Sequence, residues 1–517
     1  MAQTYDPVSL FSNPTMSSDA EGAALKSLAE LGLTALRPFS KPLSGLFIDS
    51  RLVQEGGLFI ALPGTQSHGA EFAAQAIEHG AAAVLTDQDG HALMRQSLAE
   101  ISVAMVVVED PAAALASAAA LWFEAQPQKI VAVTGTNGKT SVTHFCRQIW
   151  TELDCQAINL GTNGVQGAFT APLSHTTPDA LLLQSLLAKA ALAGVTHAAI
   201  EASSHGLQQR RLDGVKLCAA GFTNFTQDHL DYHKDFEDYF SAKTGLFDRL
   251  LLQDQPAVLN IDDPKLAELA ARLEQSDQAM ITIGHCPEAD IRIDNLRFTA
   301  TGQDMRFTYQ EIPRLVSLPL RGKFQAENVL MAAALVIAAG AKPASVFETL
   351  EHLTTVRGRM ELAAQRENGA LVFVDYAHTP DALEKAISAL RPHVLGRLVA
   401  VIWAGGDRDP FKRPLMGAAA AGAADFVFVT DDNPRSEDPS EIRKMVISGM
   451  SEPARVKEVG DRAEAILRAV DMLKPGDALL IAGKGHETGQ VIGDDILPFD
   501  DVEQASLAVA ALDGGLV

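Results

Sequence analysis

The chain has 517 residues, which at roughly 150 residues per domain suggests about three domains. Hydrophobic residues make up 47% of it and charged residues 21%, so it can bury several cores and is far from the composition of a disordered chain. Its 42 basic and 65 acidic side chains leave a formal charge of −23, which argues against a general affinity for nucleic acid or anionic membranes but not against a local pocket for one phosphorylated small molecule.

In chain order, the N-terminal stretch has no positive charge ahead of an apolar run, so no secretory signal is expected. Short apolar runs predict strands at Leu58–Leu62, Ala83–Thr86 and Ala104–Val108, with helices over Glu71–Glu78 and Ala112–Glu124. A polar break around Pro127 reads as a domain boundary. The apolar strand Lys129–Thr134 then runs straight into a glycine-rich turn and a helical pattern. Strands at Ala198–Ala202 and Ala257–Asn260 continue the strand–helix alternation, which predicts a mostly parallel sheet covered by helices. Near Thr354–Arg359 a fresh series begins, with strands at Leu371–Asp375, Leu398–Trp403, Phe426–Thr430 and Ala478–Ala482. The Ala-rich run Val329–Ala341 is too short to span a membrane. The cysteines Cys146, Cys155, Cys218 and Cys286 stand far apart, as reduced thiols of a cytoplasmic protein do. The expected architecture is α/β with three consecutive domains, residues 1–127, 128–355 and 356–517. The central one is a P-loop ATPase-type parallel sheet and the C-terminal one a doubly wound, Rossmann-like domain.

The strongest local signal is the turn Gly135-Thr136-Asn137-Gly138-Lys139-Thr140-Ser141 between strand and helix. Its glycines let backbone N–H groups fold around phosphate oxygens, and the helix adds its positive N-terminal end. Lys139 is expected to reach the terminal phosphates of ATP and Thr140 to offer a hydroxyl to Mg²⁺. Val133 occupies the usual first glycine position, so the match is imperfect. Such a loop serves kinases, motors and ligases alike. Glu201, at the end of the next strand, is a candidate Mg²⁺ ligand, since that ion favours hard oxygen donors. The dense polar run Phe222–His233 places His229 as a second metal-holding candidate, while Asp228 and Asp231 read equally well as solvated or capping residues. Lys243 lies in an amphipathic helix, where a lysine ordinarily only snorkels to the surface.

The ordered set TGTNGKTS, EASSHGL, TNFTQDHLDYH, GRME, DYAHTPDALEKA, GGDRD, DDNPRSEDP and GKGHE resembles the Mur ligase family, from Asp49 nearly to the C-terminus. The resemblance implies an ATP-dependent ligase of cytoplasmic peptidoglycan precursor synthesis. ATP phosphorylates the D-Glu γ-carboxylate of a UDP-linked muramoyl dipeptide, and an incoming amine displaces phosphate to form an amide. It implies catalytic roles for Lys139, His229 and Lys243, the last as an N-carboxylysine that joins Thr140, Glu201 and His229 around Mg²⁺. Asn328 resembles the residue near the adenine, and Arg359, Asp375 and His378 resemble those closing over ATP.

By the same resemblance, Ile48, Ser50, Thr65, Gln66 and Ser67 line the uridine pocket of the first domain. Thr176, Thr177, Ser203, Gln209 and Arg211 match positions that hold the muramoyl dipeptide. The amino acid is read by the last domain. Asp432-Asn433-Pro434-Arg435 matches the motif for meso-diaminopimelate, whose extra distal carboxylate calls for an arginine fork. Arg408 would clamp a second carboxylate, with the Gly483 carbonyl and Glu487 on the distal ammonium. Pro410-Phe411 stands where relatives commonly carry Lys-Gly. The expected partners are thus ATP, the UDP-linked dipeptide UDP-N-acetylmuramoyl-L-alanyl-D-glutamate and meso-2,6-diaminopimelate, with no nucleic acid, no membrane span and a monomeric enzyme. The alternatives are a lysine-adding ligase of the same family, a folylpolyglutamate synthase-type ligase, a P-loop switch that makes no bond, and an inactive scaffold.

Overall fold

The computed structural model describes residues 25–64, 67–98, 102–226, 232–299, 301–493 and 495–514. Three sheets follow one another along the chain. The first has four parallel strands, Leu46–Phe47, Leu58–Ile60, Ala83–Thr86 and Ala104–Val107, in sequential order. The helix expected over Glu71–Glu78 is a 3₁₀ turn, Gly69–Phe72, followed by the helix Ala73–Glu78. His68 caps the turn through its ring nitrogen.

The central sheet has ten strands. Lys129–Thr134 lies between His197–Glu201 on one side and Ala219–Phe222 on the other, all parallel. This order sets the glycine turn, the Glu201 carboxylate and Thr223–Asn224 side by side at the carboxyl edge, where ligands gather in open parallel sheets. The strand Lys129–Thr134 is buried from Ile130 onward, as its unbroken apolar run demands.

One difference from the sequence reading is at the far edge. Ile291–Phe298, Gln303–Tyr309 and Ile312–Leu318 form an antiparallel meander that extends the parallel sheet. Its strands alternate buried and exposed residues and are rich in polar side chains, so they carry none of the apolar runs that mark the other strands.

The third sheet has the order Glu361–Gln365, Leu371–Asp375, Ala478–Ala482, Leu398–Ile402, Phe426–Val429, Val456–Glu458, parallel except for the first strand. Separate apolar clusters cover its two faces, the doubly wound arrangement. Its helix Asp501–Leu512 is tied to the helix Arg462–Asp471 by a fully buried two-pronged pair, Arg462 with Asp501.

Candidate active site

The glycine turn is built for close backbone approach. Gly135 has φ +143° and Gly138 φ +88°. A Cβ on Gly135 would fall 1.9 Å from Thr223 Oγ1, and one on Gly138 2.5 Å from Asn328 Oδ1. Asn328 is therefore packed directly against the turn. Asn224 Oδ1 accepts from the Asn137 N–H at 3.0 Å, and Thr136 Oγ1 donates to the Thr226 carbonyl at 3.0 Å, so the neighbouring strand's loop fixes the turn. Most helices here start on a capping Asp, Ser or Thr, whereas the helix Lys139–Glu152 has no side-chain cap, which leaves its first N–H groups for an anion.

Two lysines converge on this turn. Lys139 Nζ curls back to the carbonyls of Gly135 (2.8 Å) and Thr136 (2.9 Å). Lys243, buried in the helix Phe236–Gly245, donates to the same Gly135 carbonyl at 2.8 Å and lies over the Tyr239 ring. Its stem does not lead to solvent, which removes the surface reading of this lysine.

Glu201 is 1% exposed and collects donors on both oxygens. Oε1 accepts from the Thr162 N–H at 2.9 Å, and Oε2 from the Thr140 hydroxyl at 3.0 Å and the Thr162 hydroxyl at 3.1 Å. Gly161 makes room for it, since a Cβ there would fall 2.0 Å from Oε1. Thr162 continues to Thr176 at 3.1 Å, and Thr177 bridges the Glu201 carbonyl and the Ser203 N–H. Arg211 donates to the Thr177 carbonyl and to Gln209, which donates to the Tyr232 hydroxyl. The expected residues Thr176, Thr177, Ser203, Gln209 and Arg211 thus form one network ending on Glu201. The donors around Glu201 are hard oxygens, a set that suits Mg²⁺. Thr65, Gln66, Asp228, His229 and Asp231 lie outside the described residues, and among the described residues no group of three or more His, Cys, Asp or Glu side chains is poised to hold a metal.

The third domain reaches this site through Arg359 and, beside the turn, through Asp381, 3.4 Å from the Thr226 hydroxyl. Arg359 Nη2 is 3.4 Å from the Thr140 hydroxyl, and its guanidinium lies 4.5 Å over the Tyr376 ring. The next residue, Met360, has φ +50°, an unusual value for a side chain of its size, and its N–H is held by Asp375 Oδ2 at 2.7 Å. Asp375 also accepts from the Ala377 N–H at 2.8 Å. Burial pushes its carboxyl above the usual range, against the pull of Arg359 and of these two amides. His378 is exposed, its ring 4.6 Å edge-on to Tyr376 and its Nδ1 2.9 Å from the Tyr376 carbonyl.

Beyond Tyr376 lie the loops expected to read the amino acid. Gly483, φ +108°, donates its N–H to the Asp375 carbonyl at 2.9 Å, joining the two regions. Arg435, φ +52°, donates to the Gly406 carbonyl at 2.6 Å. A Cβ on Gly406 would fall 1.8 Å from the Pro434 carbonyl oxygen, so the two loops interlock backbone to backbone. Asn433 Oδ1 accepts from the Val491 N–H at 2.7 Å, while its Nδ2 is 3.4 Å from Glu487. Asp432 turns inward onto the fully buried Lys484 at 2.8 Å, and burial pushes its carboxyl up to about 6. Arg413 grips Glu437 with both terminal nitrogens, at 2.9 and 2.7 Å, bracing the Arg408 loop against the Arg435 loop; Arg408 itself is exposed.

In the first domain, Ser50 is buried and donates to Gln75 at 2.7 Å beside the half-buried Ile48, whereas Ser67 is exposed. Sequence reasoning passed over Thr162, Asn224 and Tyr376. Thr162 had a signal in the Gly-Thr-Asn that follows a strand, and Tyr376 in its place between Asp375 and His378.

Three family profiles match the chain in order: Mur ligase family, catalytic domain, over residues 42–123; Mur ligase middle domain, over 133–336; and Mur ligase, glutamate ligase domain, over 358–485. A UDP-N-acetylmuramoyl-L-alanyl-D-glutamate–2,6-diaminopimelate ligase of Caulobacter vibrioides is 46% identical over 486 residues, covering 92% of this chain and 98% of that one. The enzyme of the same name from Agrobacterium fabrum is 44% identical over 500 residues, with 96% and 99% covered. A solved structure of a ligase of that name superposes with a TM-score of 0.69 at 34% identity, covering 94% of this chain and 99% of that chain.

Proposed function

The chain belongs to the Mur ligase family, and from that premise we propose that it is the ATP-dependent ligase that joins meso-2,6-diaminopimelate to UDP-N-acetylmuramoyl-L-alanyl-D-glutamate in cytoplasmic peptidoglycan precursor synthesis. The observation that carries this reading is the continuous line from Thr140 through Arg359 and Tyr376 to the loops of Glu487 and Asn433. The Tyr376 ring lies 5.0 Å from that of His486, beside Glu487, and Asn433 Nδ2 is 3.4 Å from Glu487, so a triphosphate on the glycine turn and an amino acid on the third domain would meet near this ring.

A carboxylate repels a triphosphate and its oxygen is a poor leaving group. The protein must neutralise charge and align the reactants. The exposed amides of the glycine turn and Lys139 would hold the β- and γ-phosphates, while Asn328 shapes the turn from behind. Arg359 would add positive charge from the third domain as the γ-phosphate develops charge. The D-Glu γ-carboxylate oxygen bonds to the γ-phosphorus and ADP leaves; the amine nitrogen then bonds to the acyl carbon, phosphate departs and the nitrogen gives up a proton. Thr176, Thr177, Ser203, Gln209 and Arg211 would hold the muramoyl dipeptide, and Ile48, Ser50 and Thr65–Ser67 its uridine. Glu201 and Thr140, with His229 and a carboxylated Lys243, would hold Mg²⁺, which when bound screens the phosphate charge. In this reading Arg435 and Arg408 take the carboxylates of diaminopimelate, with Asn433, Gly483 and Glu487 about its distal end, and the enzyme acts as a monomer.

The test is an amino-acid panel. With ATP, Mg²⁺ and the UDP-dipeptide, meso-diaminopimelate is expected to give ADP and a new amide, and L-lysine and L-ornithine little of either. Arg435→Ala should raise KM for diaminopimelate about a hundredfold, the loss of a charge-assisted two-bond contact of about 3 kcal/mol. Preferred use of L-lysine, or ADP release without an amide, would refute the reading.

A further inference from the structure

Lys484 is fully buried in the turn that follows the strand Ala478–Ala482. A buried ammonium is costly unless its protons find acceptors and a negative charge stands beside it. Lys484 Nζ donates to Asp432 Oδ1 at 2.8 Å and to the Gly489 carbonyl, and it lies 3.6 Å from Glu487 Oε2. These acceptors belong to three pieces of chain around the amino-acid site: the Asp432–Arg435 loop, the strand Gly489–Ile492, and the far end of the lysine's own turn. A compact ammonium with three rotatable donors suits such a junction. A buried ion pair adds little stability over apolar residues of the same volume, so its value here lies in what it positions.

What it positions is Glu487. The Glu487 N–H donates to the Lys484 carbonyl at 3.0 Å, so the two residues close one turn. That turn is wedged in place: a Cβ on Gly485 would fall 2.7 Å from Tyr376 Cβ and 2.8 Å from the Gly358 carbonyl oxygen. The backbone is thereby fixed, but the Glu487 side chain is 34% exposed. Its carboxylate is met by Lys484 Nζ and by Asn433 Nδ2 at 3.4 Å, and both contacts fall on Oε2. Among the described residues nothing engages Oε1, so the carboxylate is tethered by one oxygen and offers the other to a donor from outside.

We infer that Lys484 is a positioning residue of the amino-acid site, holding the Glu487 carboxylate where it meets the distal ammonium of diaminopimelate. This rests on the reading above, in which Glu487 takes that ammonium. Lys484, wholly buried, touches no substrate and acts through Glu487.

The test uses 2-aminopimelate, which keeps both carboxylates and the reacting amine of diaminopimelate and lacks only the distal ammonium. Full-length wild-type protein with ATP, Mg²⁺ and the UDP-dipeptide should prefer diaminopimelate in kcat/KM. In Lys484→Met that preference should fall about tenfold, through KM for diaminopimelate, with KM for ATP and kcat/KM for 2-aminopimelate within about twofold of wild type. Combining Lys484→Met with Asp432→Asn leaves no unbalanced buried charge, so this double variant should have the higher thermal midpoint of the two and still lack the preference. Equal losses with both amino acids would mean that Lys484 only holds the domain together. A double variant that regains the preference along with the thermal midpoint would mean that charge balance alone matters. Either result overturns the inference, as does a wild-type protein that joins both amino acids alike. A wild-type protein that makes no amide with diaminopimelate overturns the functional reading instead.

Discussion

At the scale of single residues, the site is held by groups whose charge state burial has already chosen. His486 is the clearest case. It stands behind the Arg359 turn, its backbone N–H where a Cβ on Gly358 would fall 2.2 Å away, and its ring 5.0 Å from Tyr376. Burial pushes its imidazole down to about 4, and Arg359 and Arg357 push the same way. A second positive charge beside Arg359 would compete with it for the phosphate, so a neutral ring is also the useful one. The consequence for stability has a definite sign. Between about pH 6.5 and about 4 the unfolded chain binds a proton here that the folded one refuses, so stability is complete above that window and falls as the pH drops through it. The full effect is on the order of 3 kcal/mol. His144 is lowered to about 4 in the same direction, so the wild-type protein alone does not isolate His486. His486→Gln does. Its thermal midpoint should fall less steeply than that of wild type between about pH 7 and about pH 4.5, and parallel curves would show that His486 titrates normally.

At the scale of elements, the amino-acid loops are braced by a two-stranded ribbon, Gly489–Ile492 with Asp495–Pro498. The ribbon supplies partners to the loop in sequence: the Gln490 side-chain amide donates to the Asp432 carbonyl, the Val491 N–H to Asn433 Oδ1, and the N–H of Gly493, just past the first strand, to the Arg435 carbonyl. Arg435 keeps its left-handed backbone because bonds on both sides hold it. Val491→Pro removes the donor that holds Asn433 Oδ1 while replacing no side chain of the site. KM for diaminopimelate should rise about tenfold while KM for ATP stays put, and equal changes in both would mean that the ribbon only stabilises the domain. None of this bracing was legible in the sequence, because a ribbon of half-exposed residues has no apolar run and the loop it braces lies far away along the chain. The meander Ile291–Leu318 lacks such a run too. By contrast, Lys129–Thr134, Ala257–Asn260, Leu371–Asp375 and Ala478–Ala482 were read with their observed bounds, since burial on both faces writes an unbroken apolar run. Trp403 was read as the last residue of a strand for the same reason, whereas the observed strand ends at Ile402 and Trp403 is buried just beyond it. Lys243 was the opposite case: its helix is amphipathic in sequence, but the side chain turns inward to a backbone carbonyl that only the fold brings near.

At the scale of the molecule, the three sheets are not joined alike. The first and central domains share an apolar core, in which Leu115, Ala116 and Trp122 of the helix Pro111–Phe123 pack with Ala180, Leu181 and Ala188 of the helix Ala180–Leu192. Arg210 to Asp110 at 3.0 Å and Gln126 to Gln184 and the Gly214 carbonyl, both at 2.9 Å, tighten the same joint. The third domain meets the central one mainly through polar contacts: His393 with Gly322 and Thr299, Thr226 with Asp381, and Arg359 with Thr140. Phe324 against the third domain's core and Arg321 over the Phe373 ring are its apolar share. An interface of that kind exchanges its hydrogen bonds for water at little cost, so the third domain is expected to be the part that moves, with the segment between Thr354 and Arg357 as its hinge. A triphosphate on the glycine turn would give Arg359 a stronger partner than the 3.4 Å contact to Thr140 that it makes here, and would bias the domain toward closure. Small-angle scattering of the full-length protein should then give a smaller radius of gyration with an ATP analogue and the UDP-dipeptide than with neither, and Arg359→Ala should remove most of that difference. Equal compactness with and without the ligands would mean that the third domain is already fixed by the contacts seen here.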